Sequence, residues 1–357
     1  TCLADAMGRS GQTIRSLPLY EQAASEAEAN KRWADVGWIC GNWANSLRDV
    51  GLPDRAKETF LKAVDAFKKA ESPEIEIIAR ELEALRIDVK KGHADMLLQK
   101  IESRLKKVRM WSNGRKSGKT VPEAPDDVFL LRVLVSGLNI VYLANRKLKN
   151  WSVCLLLLEE MEQILLESGQ SRHERYWTRF NKYAPLMKLG RLDEALSVVE
   201  GCLAVYLDVE DYTGQARALS ALASIWHRRG DIDQAIALER QALMVKNRLS
   251  DPEDRAVSHI NLSLFLYSSG RSDESANHHL ASGIYYICIG IHNVNWIRNL
   301  QIWMGQEAQA GSTYQFTNIS DLIARPEFEA LNRFLGQYEV DVEELQGEVD
   351  ALVASVV

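Results

Sequence analysis

The stretch DYTGQARALSALASIWHRRGDIDQAIALERQALMVKNRLSDP, Asp211 to Pro252, decides the fold. Two apolar-periodic runs flank a break at Gly230 and Asp231. Leu219 and Ala223 before the break, and Ala235 and Ala242 after it, fall at helical spacing. Asp251-Pro252 then closes the unit, because a proline favours the first turn of a new helix over the interior of an old one. The stretch predicts one helix-turn-helix hairpin.

The hairpin repeats along the chain. Gly190 and Gly270 each lie 40 residues from Gly230, and Gly11, Gly51 and Gly92 continue the series upstream. The place 41 residues before Gly190 holds Lys149, a turn without glycine. Five residues after each turn stand Ser16, Ala56, Leu97, Cys154, Ala195, Ala235 and Ser275. Four later come Tyr20, Phe60, Ile101, Leu158, Val199, Glu239 and His279, and three later again Ala23, Ala63, Arg104, Met161, Cys202, Ala242 and Ser282. This spacing puts all three on one helix face. Small residues there let two helices approach closely, and larger ones fill the groove between hairpins.

These residues resemble the tetratricopeptide repeat, which carries a small residue, an aromatic and a small residue at this spacing after a Gly turn. Seven units match between about residue 1 and residue 290. The period near 40 resembles the longer-helix repeats of kinesin light chains and of the sensor arms of bacterial STAND-type signalling ATPases; no ATPase motif of that group is present. The resemblance implies an all-α, right-handed superhelical solenoid of helical hairpins with a helical C-terminal cap. Its expected parts are repeats 1–3 over residues 1–105, with the first truncated, a basic inserted loop over 106–127, and repeats 4–7 over 128–290. A degenerate eighth repeat with the cap, over 291–357, follows. Asp341 with Glu344 forms a capping-box pattern in that last part.

Composition excludes several classes. A net charge of −6 argues against a nucleic-acid binder overall. The longest apolar run, Val128 to Ala144, contains Arg132 and Asn139 and reads as a buried helix, so no membrane partner is expected. The five cysteines, Cys2, Cys40, Cys154, Cys202 and Cys288, show no metal or disulfide spacing and fit a reducing, cytoplasmic setting. The chain starts at Thr1 inside a helix pattern, as a piece of a longer protein would, with an effector domain expected upstream. No motif calls for a cofactor.

Three features compete for function. Asn113 to Thr120, NGRKSGKT, matches a phosphate-binding loop except that Asn113 replaces the first glycine. Val121-Pro122 follows where such a loop needs a helix, so a plain loop is the better reading. The same segment is basic: Lys106, Lys107, Arg109, Arg115, Lys116 and Lys119 surround Trp111, a pattern that can hold phosphates and stack a base. Third, the position nine before each turn holds Asn42, Asn181 and Asn261 in three of six units, with Asn45 one helical turn on from Asn42. An Asn amide can give one donor and one acceptor to an extended backbone. In kinesin-light-chain-like repeats an Asn at this position does that work, and the resemblance extends to these three.

Cations stand near the end of the first helices, among them Arg48, Arg146, Lys188 and Arg228. They complement the helix macrodipole, or they line a groove for acidic groups. Pro185 withholds the N–H that would bond the carbonyl of Asn181, predicting a kink there. His278-His279 has no third ligand at metal spacing and reads as surface or inter-repeat packing. No catalytic constellation has supporting context. The expected function is non-catalytic recognition of a protein or peptide in a concave groove, as the sensor or adaptor arm of a bacterial signalling or defence protein. A nucleic-acid or polyanion module using residues 104–119 is the alternative.

Overall fold

Helices begin where the sequence places turns, and they end there for a backbone reason. The structure, a computed structural model, describes residue 4 and residues 13–118, 120, 126–249, 251–290 and 317–354, with side chains to 351. The expectations on Cys2, Gly11, Lys119 and the start of the degenerate eighth repeat lie outside these residues. The described residues are helical and contain no strand.

The chain forms two compact units, residues 1–189 and 190–357. The first contains α1 (Thr13–Ala29), α2 (Trp33–Asp49), α3 (Pro53–Lys69), α4 (Glu74–Lys91), α5 (Ala94–Lys116), α6 (Asp127–Lys147), α7 (Trp151–Glu167), α8 (Arg172–Phe180) and α9 (Tyr183–Lys188). The second contains α10 (Leu192–Asp208), α11 (Tyr212–Arg229), α12 (Ile232–Lys246), α13 (Pro252–Ser268) and α14 (Ser272–Cys288). It closes with α15 (Ile319–Ile323), a 3-10 turn (Pro326–Phe328), α16 (Glu329–Gln337) and α17 (Val342–Ala354). Within each unit, consecutive helices pair as hairpins of the tetratricopeptide type.

The hairpin turn is a left-handed residue that stops the first helix. At Gly230 φ is 87°, and the N–H of Asp231 donates to the carbonyl of Trp226 at 3.1 Å. Lys149 does the same without a glycine: its φ is 61°, and the N–H of Asn150 reaches the carbonyl of Asn145 at 2.9 Å. This six-to-one bond satisfies a carbonyl that the helix end would leave open.

The residues after the turn pack as their spacing demands. Ala56, Phe60 and Ala63 are fully buried, as are Ala195, Val199 and Cys202. Cys154, Leu158 and Met161 join the main core of the first unit. Cys40, Cys154 and Cys202 are buried free thiols, and burial pushes those of Cys40 and Cys154 up to about 11. Helix α6 is long and apolar enough to cross a membrane, but Leu130, Val133, Leu134, Leu138 and Val141 on it are core residues of the first unit. Packing of this face accounts for part of its apolarity.

The expected basic loop is corrected. Helix α5 runs on through Lys116, so Lys106 to Lys116 are helical. The reason is a continuing apolar stripe, Ile101, Leu105, Val108 and Trp111, all buried. Trp111, 6% exposed, is a core residue and offers no face to a base. Asn113 and Gly114 also lie in the helix, so the phosphate-loop resemblance has no loop to form it.

Left-handed φ strains every residue but glycine. Lys149→Gly should therefore stabilise the fold by about 0.5–1 kcal/mol, and Gly230→Ala should destabilise it by about 1 kcal/mol, in urea unfolding followed by circular dichroism.

Candidate functional site

In the first unit, the ends of α6, α7 and α8 enclose a cavity of about 710 Å3. Its wall is apolar: Val128, Leu131 and Val135 from α6, Ile164 and Leu165 from α7, and Trp177 from α8. Val128, Leu131 and Val135 recur at helical spacing beside the core stripe of α6, so this helix is apolar on two faces. The core takes one face. The other lines the cavity: Val128 is 61% exposed, while Leu131 and Val135 are half-buried and also touch the core.

Polar groups sit at the rim. Asp127, Arg132, His173 and Glu174 line the opening. Arg132 is exposed and makes no ion pair among the described residues. The indole N–H of Trp177 donates to Nε2 of His173 at 2.9 Å, which fixes both rings and places the imidazole proton on Nδ1. Ser171 caps α8 in a reciprocal box with Glu174, which sets where His173 and Trp177 emerge. A smaller cavity of about 220 Å3 adjoins, lined by Arg115, Lys116, Asp127 and Glu167 among others.

The helix carrying Trp177 stops as Pro185 requires. Helix α8 ends at Phe180, and α9 starts at Tyr183. Asn181 closes the break locally, its amide donating to the carbonyl of Trp177 at 3.2 Å.

The other sequence-selected residues are spread across the chain and mostly engaged within it. Asn42 and Asn45 are half-buried on α2. Arg48 pairs with Glu83 of α4 at 2.9 Å, and Ser136 of α6 bridges Glu83 and Arg86 at 2.9 and 2.8 Å. Arg146, Lys188 and Arg228 stand in the last turns of α6, α9 and α11, where the macrodipole favours a cation. In α5, Lys107 bonds Glu74 at 2.5 Å, and Lys116 bonds Glu167 at 2.5 Å. Arg109 grips Glu160 with two bonds of 2.9 and 2.6 Å, Arg115 lies 3.5 Å from Asp127, and Lys106 is exposed. Lys107, Arg109 and Lys116 thus face acids from neighbouring helices, 33 and 51 residues away in sequence.

Asn261 belongs to a polar centre inside the second unit. Glu239, fully buried, stands where most repeats carry an apolar residue. Its Oε1 accepts from Ser220 at 2.9 Å and Ser258 at 2.6 Å, and the buried Nζ of Lys246 donates to Ser258 at 2.7 Å and Ser220 at 3.1 Å. Oε2 of Glu239 has no well-aligned partner, and the Asn261 amide lies close enough to help hold the carboxyl down. Burial nonetheless drives both ions towards their neutral forms, raising Glu239 and lowering Lys246.

The tetratricopeptide repeat family model matches residues 186–248. The chain carries tetratricopeptide repeats. A Rap protein solved in complex with Competence and Sporulation Factor shares the fold, at a TM-score of 0.55 and 14% identity over 90% of this chain and 80% of that one. A putative kinesin light chain repeat protein of Podosopora anserina aligns at a TM-score of 0.39 and 15% identity, over 54% of this chain and 91% of that one. A STAND protein with a tetratricopeptide sensor from Pyrococcus horikoshii aligns at 0.32 and 17%, over 84% and 55%. Of these three, the Rap protein is alike enough in shape to carry the comparison. No curated protein matches by sequence.

Lys246→Met strands a buried carboxylate and should destabilise the fold by about 3–5 kcal/mol in urea unfolding. Glu239→Gln combined with Lys246→Met should recover most of that loss. Equal losses for the single and double variants would mean that the two groups do not interact.

Proposed function

We propose that this chain is a non-catalytic recognition scaffold, and that the groove between α6, α7 and α8 takes a peptide or an extended protein segment. The observation that carries this is the partly exposed apolar wall of Val128, Leu131, Val135 and Trp177 around a cavity of about 710 Å3. A cavity of that size lies within the range of about 300–1,000 Å3 usual for ligand pockets. The rim groups Arg132, His173 and Glu174 can then orient its backbone and polar atoms. The Rap protein of similar fold binds Competence and Sporulation Factor, which supports recognition as the use of this architecture. A role as the sensor or adaptor arm of a larger signalling protein follows from the same reading.

Two observations disfavour the polyanion alternative. The cations of α5 are engaged by Glu74, Glu160 and Glu167, and Trp111 is buried. Phosphate binding there would have to break those pairs.

The test is selection of displayed random peptides on the folded protein. Selected peptides should bind the wild type and lose affinity tenfold or more, about 1.4 kcal/mol, on Leu131→Asp, with circular dichroism unchanged. Peptides indifferent to both Leu131→Asp and Trp177→Ala would place recognition elsewhere.

A further inference from the structure

His259 of α13 and His278 of α14 meet inside the second unit, 3% and 6% exposed, with their Nδ1 atoms 2.8 Å apart. One Nδ1 must donate and the other accept, so the contact holds one shared hydrogen. The C-terminal helices close over this pair. The ring of Phe328 lies 5.8 Å from His259 and 5.2 Å from His278, and Tyr285 stacks on His259 at 5.9 Å. Phe328 shares one core with Ile319, Leu322, Leu331 and Phe334 of the C-terminal helices and with Leu280 and Ile284 of α14.

We propose that α15, α16 and α17 dock as a pH-operated cap, released when the His259–His278 pair takes up a proton.

Among the described residues, a proton on this pair finds no acidic partner. From α12, Lys246 acts on His259 and Arg240 on His278, and both repel it. The acid of α12, Glu239, is held with Lys246 through Ser258 and Ser220. From α13, Arg255 acts on Tyr285. From α14, Arg271 repels His278, and Glu274 is gripped by both Arg271 and Arg240. The neighbouring His279 is also buried and basic in kind. From the cap itself, Arg333 faces Tyr285. A buried imidazolium among these groups is costly, and Phe328 is the ring of the cap segment that lies against both histidines.

Burial agrees with the geometry. It holds His278 down to about 3 and His259 well below its ordinary value. With the cap docked the rings refuse protons, and with it released they bind them near the usual pKa of about 6.5. The released state therefore binds more protons, and docking is full above about pH 6.5 and weakens as pH falls. Between pH 7 and 5, each freed histidine favours release by about 25-fold.

Hydrogen exchange of the whole chain at pH 7.0 and 5.0, corrected for intrinsic rates, tests this. Protection over residues 319–350 should fall at least tenfold, while residues 212–246 keep theirs. His259→Asn/His278→Gln, which keeps polar side chains that do not titrate, should abolish the difference. If that variant fails to fold, the imidazole resonances of the wild type decide: their titration should coincide with loss of the cap. Equal cap protection at both pH values, joint loss over 212–246 and 319–350, or histidines that titrate near 6.5 with the cap docked would each overturn the proposal.

Discussion

The close approach of paired helices through small buried residues is the constraint on which the rest depends. Ala56 and Ala63, Ala195 and Cys202, and Ala235 and Ala242 are all without exposed surface. A bulkier side chain at any of them would force its helix outward. The left-handed turn residue makes that approach possible, since it stops one helix and returns the next within three residues. Gly230 and Lys149 perform the same act with different chemistry, so the geometry of the turn, more than its residue, defines the repeat.

Against that regular frame, departures mark where the molecule does more than stack. Glu239 and His279 occupy core positions that Phe60, Leu158 and Val199 fill elsewhere. Glu239 draws Lys246 and two serines as partners, and His278, the neighbour of His279 in the chain, pairs with His259. Such centres give up hydrophobic stabilisation and gain definition of packing and sensitivity to protons. In the first unit the departure is apolar instead. Helix α6 has more hydrophobic surface than its core face uses, and the surplus lines the groove.

The hairpin period, the turn at Lys149, the core triplets and the break before Pro185 were all legible in the sequence, because each follows from local spacing or backbone chemistry. The length of α5 was not. Its basic composition from Lys106 to Lys116 resembles a loop, and its partners Glu74, Glu160 and Glu167 lie on other helices, beyond any local pattern. The groove was half legible. Val128 to Ala144 is visibly apolar, but nothing local tells that Leu131 and Val135, half-buried against the core, also line a cavity while Leu134 lies wholly within the core. Asn261 fits the pattern of a groove residue, yet it lies beside Glu239, whose burial only the folded hairpin creates.

The central claim is that recognition is built on the surplus apolar face of α6. Methyl resonances of isoleucine, leucine and valine, followed while a selected peptide is titrated in, test it most directly. Saturable shifts at Val128, Leu131, Val135, Ile164 and Leu165, with the methyls of α10 to α14 unmoved, are the predicted result. Saturable binding that leaves those five methyls unshifted would contradict the account.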